Sequence, residues 1–237
     1  MSSIAQAAKA TPKGEAGDRL VPPALAFTAG FVDTCGFIAL FGLFTAHVTG
    51  NFVLIGAELV GPSQGILTKL LALPTFVVAV ALTRLAVAAM EASGRAPLRP
   101  LLVAQGVLLL AFMTAGMAIS PPKQADAWPE LATGLLGVTA MAIQNAKARL
   151  LLSSATPSTV MTGNVTQLVI DLVDLARPVT SEVRAQAASR AAKMAPAVAA
   201  FAVGAVAGAF GYAGFGFVCL VVPTLVVFAL AARVPGR

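Results

Sequence analysis

Charge is scarce in this sequence. Only 11% of its 237 residues are Asp, Glu, Lys or Arg, against about 25% in an ordinary soluble domain. So few charges cannot cover a water-facing surface, whereas helices that face lipid need none. Histidine occurs once and cysteine twice, too few to build a structural zinc site. Cys35 and Cys219 lie inside apolar runs far apart in the chain. They read as small core residues and not as a disulfide framework. The sequence has no Walker loop, no Gly-rich dinucleotide fingerprint after a strand, no H-E-x-x-H and no G-x-S-x-G elbow. An ATP-driven pump and a soluble-type enzyme are disfavoured, an intramembrane enzyme lacks a nucleophile–base or metal set, and no cofactor is expected.

What is present is apolar. Hydrophobic residues make up 58% of the chain and its mean hydropathy is +0.87. Runs near 24–45, 71–91, 100–119, 131–151, 194–212 and 214–233 each approach the length of one bilayer crossing, about 20 residues. Two shorter runs, 48–60 and about 160–175, suit re-entrant or broken segments better than full spans. The expected fold is therefore all-α: a polytopic transmembrane bundle of about six spanning helices plus two short ones. Residues 1–22 read as a flexible cytoplasmic tail without a clear signal-peptide cleavage site. Residues 23–120 and 121–237 then form two halves of one membrane domain.

The net charge of +6 follows membrane topology and gives no reason to expect nucleic acid. With six spans and the N-terminus inside, 13 Lys and Arg fall inside and 2, Lys69 and Lys123, outside, with Arg84 left in a helix. If all eight runs span, the split weakens to 11 against 4. The positive-inside rule favours six spans, with both termini on the cytoplasmic side of a bacterial inner membrane. Trp128, in the outside loop 120–130, suits an interfacial anchor.

The strongest pattern is internal. Thr49-Gly50-Asn51 is matched about 113 residues later by Thr162-Gly163-Asn164, and an acid follows each Asn by seven residues, Glu58 and Asp171. Asp33 falls opposite Asn145 if one gap is allowed. Each half holds three long runs and one short one. Three is odd, so the second half inserts upside down, the inverted-repeat plan of many transporters and channels. The stretches GFVDTCGFIALFGLFTAHVTGNFVLIGAEL and AMAIQNAKARLLLSSATPSTVMTGNVTQLVIDL resemble the YoaK-like family of bacterial integral membrane proteins, defined by a domain of unknown function. The resemblance covers roughly residues 24–233. It implies a small multi-pass inner-membrane protein and brings no substrate with it.

Each candidate residue carries two readings. The Thr, Gly and Asn of both TGN motifs can cap a short helix and present its amides to a polar ligand, or simply turn the chain and pin the halves together. Asp33, deep in the first run, suits proton or cation coupling, or a helix–helix hydrogen bond. Arg84 can pair with Asp33 or snorkel to the headgroups. Glu58 and Asp171 are coupling groups if buried and plain surface carboxylates if wet. Gln144 and Asn145 line a path or sit at headgroup level. His47 can sense pH, but its counterpart Val160 is apolar. Gly204 and Gly208 form a G-x-x-x-G suited to tight packing, and they permit a homodimer without requiring one. The leading expectation is a small-solute secondary transporter or permease of unassigned substrate, with Asp33, Asn51, Asn145 and Asn164 at depth. The alternative is a non-transporting assembly partner or sensor. The lipid bilayer is the one partner the composition requires.

Overall fold

The computed structural model describes residues 15–62, 65–152 and 161–234. Val160, the expected counterpart of His47, lies outside them. Among the described residues every regular element is helical: α1 (Glu15–Ala39), α2 (Gly50–Glu58), α3 (Ile66–Ala92), α4 (Leu98–Ala118), α5 (Trp128–Leu151), α6 (Met161–Ala176), α7 (Ser181–Phe215), a 3-10 turn (Gly216–Leu220) and α8 (Val221–Arg233).

Five of the six long apolar runs hold a long helix, whereas 214–233 holds the end of α7, the 3-10 turn and the 13-residue α8, too short to cross the hydrocarbon core by itself. The helix ends also differ from the runs. Helix α1 begins at Glu15, inside the expected tail, and stops at Ala39 although the apolar run continues to Thr45. The stop is conformational. Phe41 and Gly42 both adopt positive φ, 54° and 81°, which a right-handed helix cannot contain. Helix α7 begins thirteen residues before its apolar run. Thr180 accepts a hydrogen bond from the Val183 amide at its start. At 35 residues it is about 52 Å long, well beyond the ~30 Å hydrocarbon core. Its charged residues, Glu182, Arg184, Arg190 and Lys193, all lie in the surplus N-terminal part.

Four stretches are long and apolar enough to cross a membrane: Leu20–Ala39, Ile66–Ala92, Leu98–Ala118 and Ser181–Arg233, the last holding both α7 and α8. Helix α5 has the length but carries Glu130, Lys147 and Arg149. Helices α2 and α6, with 9 and 16 residues, reach about 14 and 24 Å and cannot span the hydrocarbon core as straight helices. Apolar side chains stand outward along the long helices, including Val77, Val78, Leu82 and Leu85 of α3 and Val203, Val206 and Phe210 of α7. A soluble surface does not present apolar rows of this kind, and a bilayer covers them at no cost.

Helix α1 is the centre of the bundle. It packs along α7 and touches α5, α8 and the 3-10 turn, while α4 joins α5 to α8, and α3 leans on α5. The contact with α7 is close because glycines meet backbone. A Cβ at Gly204 would collide with the Phe27 carbonyl, one at Gly208 with Phe31, and one at Gly30 with Phe201. The glycine stripe is thus filled by α1 of the same chain. A homodimer has no support from these two residues.

Candidate functional site

Beyond Ala39 the chain turns on Phe41 and Gly42 and runs back alongside α1. Asp33 receives it. Its Oδ1 accepts the backbone amides of Thr45 (2.8 Å) and Ala46 (2.7 Å) and the Thr45 hydroxyl (3.3 Å). Its Oδ2 lies 2.7 Å from His47 Nδ1. Asp33 is 5% exposed, and these donors offset the cost of burying its polar oxygens. The His47 side chain keeps 32% of its exposure and stacks edge-on to Phe201 of α7. One carboxylate thereby anchors the return loop, and the one histidine connects it to the open side of the bundle.

Directly after this anchor comes the first TGN. Asn51 is 2% exposed and pairs both ways with Phe44. Its Nδ2 donates to the Phe44 carbonyl and its Oδ1 accepts the Phe44 amide, each at 2.9 Å. A Cβ on Gly50 would press on the Phe44 ring. Two expectations are corrected here. Thr49 makes no side-chain cap bond. The first amides of α2 are also taken, with Gly50 donating to His47, Asn51 to Val48 and Phe52 to Thr49. No free amide crown is left for a ligand, and this TGN is a closed turn. In the second motif Thr162 and Gly163 are exposed and Asn164 is buried. Thr162 accepts the Thr166 hydroxyl within α6.

The acids seven residues on are both ion-paired, with Asp171 fully buried and Glu58 half-buried. Glu58 binds Lys69 Nζ at 2.7 Å. Lys69 also donates to the Phe41 carbonyl and is 2% exposed. It is therefore no free loop cation. Asp171 binds Arg190 of α7 at 2.6 Å and accepts from Gln167. The Arg190 guanidinium holds the Asp171 carboxyl below its ordinary range. Glu58 differs in one respect: its Oε2 is buried and has no hydrogen-bond partner.

A third polar group lies between α1, α4 and α5. Gln144 Nε2 donates to the Leu25 carbonyl, Gln105 Nε2 donates to Gln144 Oε1, and Lys147 Nζ donates to Gln105 Oε1. All three side chains are fully buried. Gln144 is thus an interior residue, and Lys147, expected among the cytoplasmic loop charges, is interior too. Removing Lys147 and Lys69 takes one cation from each side of the topology count and leaves its asymmetry standing. Asn145 is half-buried and donates to Met141 of its own helix.

Asp33 and Arg84 do not meet. Arg84 is exposed on α3 and faces Glu91 at 3.8 Å, while Asp33 has His47. Arg84 belongs to the helix surface. The residues that the sequence reading missed are Thr45, Lys69, Gln105 and Lys147. The three-residue spacing of Gln144 and Lys147, with Gln105 standing alone in an apolar run, was the signal for the last two.

An open cleft of about 620 Å³ lies at the Ala39 end of α1, lined by Phe37, Phe41, Glu58, Pro121, Pro122 and Tyr212 among others. Asp33, Asn51, Asn145 and Asn164 are not on its wall. Among the described residues no cluster of three or more His, Cys, Asp and Glu could hold a metal ion.

Residues 23–233 match a family described as Protein of unknown function (DUF1275). The chain is 32% identical over 149 residues to the UPF0700 transmembrane protein YoaK of Bacillus subtilis (strain 168), a match covering 62% of this chain and 64% of that protein. No solved structure matches.

Proposed function

The chain belongs to this family of unknown function, whose matching relative is a transmembrane protein, and from that premise we propose that it is a small-solute secondary transporter or permease. The observation that carries the reading is the Asp33–His47 contact. A carboxylate and an imidazole share a short hydrogen bond inside an apolar bundle, with the imidazole partly open. Intramembrane ionisable groups are costly and mark ion or proton paths, and imidazole changes charge near neutral pH. Proton coupling would run through this contact. Six crossings, two inverted halves and cytoplasmic termini in an inner membrane complete the proposal. The two halves, each with a short TGN helix and an acid ion-paired to the next helix, support it. No enzymatic step is proposed.

The test is flux. Purified protein is reconstituted in vesicles loaded with a pH-sensitive dye and challenged with a panel of small solutes. Wild type is expected to move protons with at least one solute. Asp33→Asn and His47→Gln are expected to abolish that movement. Unchanged flux in both variants, and in a variant replacing Asn51 and Asn164, would sink the mechanism.

One observation favours a second reading. Asn51 is closed on Phe44 by two hydrogen bonds, which suits structural glue in a non-transporting assembly or sensor protein. In that case no solute in the panel moves protons.

A further inference from the structure

The cleft at the Ala39 end of α1 is separate from the Asp33–His47 contact, and its chemistry is specific. Its volume, about 620 Å³, lies within the ~300–1,000 Å³ usual for small-molecule sites. Three aromatic rings, Phe37, Phe41 and Tyr212, contribute to its wall, and Glu58 is the one ionisable carboxylate on it among the described residues. Lys69 does not line it. Its ammonium is buried behind Glu58, held by Oε1 and by the Phe41 carbonyl.

The geometry splits the Glu58 carboxylate into two different oxygens. Oε1 is committed to Lys69, while Oε2 is shielded and accepts nothing. A buried acceptor without a donor is costly, because it has left water and received nothing in return. The related acid in the other half has no such deficit: Asp171 is covered by Arg190 on both oxygens and by Gln167. So the second oxygen of Glu58 is not a general feature of these acids. It occurs at the one that borders a cleft.

We propose that this cleft binds a small protonated organic amine, with an N–H of the ammonium donating to Glu58 Oε2 and the aromatic walls taking its carbon skeleton. A donor is needed to satisfy Oε2. A cation is favoured over a neutral donor by aromatic faces, which attract positive charge within about 6 Å. An anion is disfavoured, since among the described residues the charged group it would meet on the wall is the carboxylate. Phe41 ties the parts together. It lines the cleft, its carbonyl accepts from Lys69, and it turns the chain there with a positive φ. Oε2 is shielded, so binding requires the Glu58 carboxylate to turn and present it to the cleft. The proposal concerns binding alone and holds whether or not any solute crosses the membrane.

The experiment uses the full chain purified in detergent, with isothermal titration of phenethylammonium, of N,N,N-trimethylphenethylammonium and of phenylacetate. The first keeps the N–H donors, the second keeps the charge but lacks them, and the third reverses the charge. Wild type is expected to bind phenethylammonium, to bind the trimethyl compound at least tenfold more weakly and to leave phenylacetate unbound. Glu58→Gln strands Lys69 and is at risk of misfolding, so the matched variant is Glu58→Gln/Lys69→Met, which removes the ion pair whole. Loss of phenethylammonium binding in this double variant, with its melting curve still cooperative, supports the site. Equal binding by the double variant and wild type overturns it. So does no binding by wild type, or preference for phenylacetate.

Discussion

At the scale of single residues, Asp33 does the most. It accepts three backbone amides and one hydroxyl and pairs with the His47 ring. An amide in its place would keep one acceptor oxygen for the loop amides and turn the other into a donor, which meets His47 Nδ1 donor to donor unless the imidazole changes tautomer. Leaving a buried donor unmet costs about 1–3 kcal/mol. Asp33→Asn is therefore expected to lower thermal stability in detergent by that order and to expose the 40–49 loop to protease. Asp33→Glu, longer by one methylene, is expected to do the same less severely. Unchanged melting and digestion in the Asn variant would show that the loop is held elsewhere. Asp171 gives a pH-dependent case. Arg190 lowers its carboxyl in the folded state. The pair therefore contributes stability above the unfolded carboxyl value, near 3.9, and loses it as pH falls through the lower folded value. Asp171→Asn is expected to destabilise at pH 7, with the gap from wild type closing as pH falls below the ordinary carboxylate range and through the lowered folded value. A gap that stays constant with pH would contradict the ion-pair account.

At the scale of elements, the long helices were legible because hydropathy reports burial in lipid directly. Five of the six long apolar runs became long helices, and the sixth, 214–233, is broken by a 3-10 turn before the short α8. The short TGN runs became short helices for the same reason of length. What hydropathy could not report was where the chain reverses. Residues 40–46 (LFGLFTA) are as apolar as the helix before them, yet Phe41 and Gly42 turn the chain there. Nor did it distinguish a buried cation from a headgroup cation. Lys147 and Lys69 sit where topology expects loop charges, and only their side-chain partners reveal that they are interior. Among the candidates, Asp33, Asn51, Gln144, Asn164 and Asp171 lie buried, Glu58 is half-buried and Arg84 is exposed; the sequence left open whether Glu58, Asp171 and Gln144 would be wet. Asp33's partner, His47, was passed over because it has no polar counterpart in the second half. The glycine stripe makes an element-scale prediction. Gly204→Leu is expected to cost at least ~3 kcal/mol, since the new side chain meets α1 backbone that cannot rotate away. Gly214→Ala is the control, having nothing near its Cβ position. Equal melting temperatures for Gly204→Leu and wild type would mean that α1 and α7 are not in backbone contact.

At the scale of the whole molecule, the structure describes a bundle organised around α1, with polar clusters at several places along it and an open cleft at one end. The transport proposal requires the Asp33–His47 contact to communicate with water. The most direct measurement is the reactivity of a cysteine at position 47. Cys35 and Cys219 are first replaced by Ser, and His47→Cys, Asn51→Cys and the loop control Pro122→Cys are treated in intact membranes with a small charged thiol reagent. The expected result is that position 47 and the loop control react while position 51 does not. A position 47 that stays inert while the control reacts would contradict the proposal, making the Asp33–His47 contact a dry structural anchor.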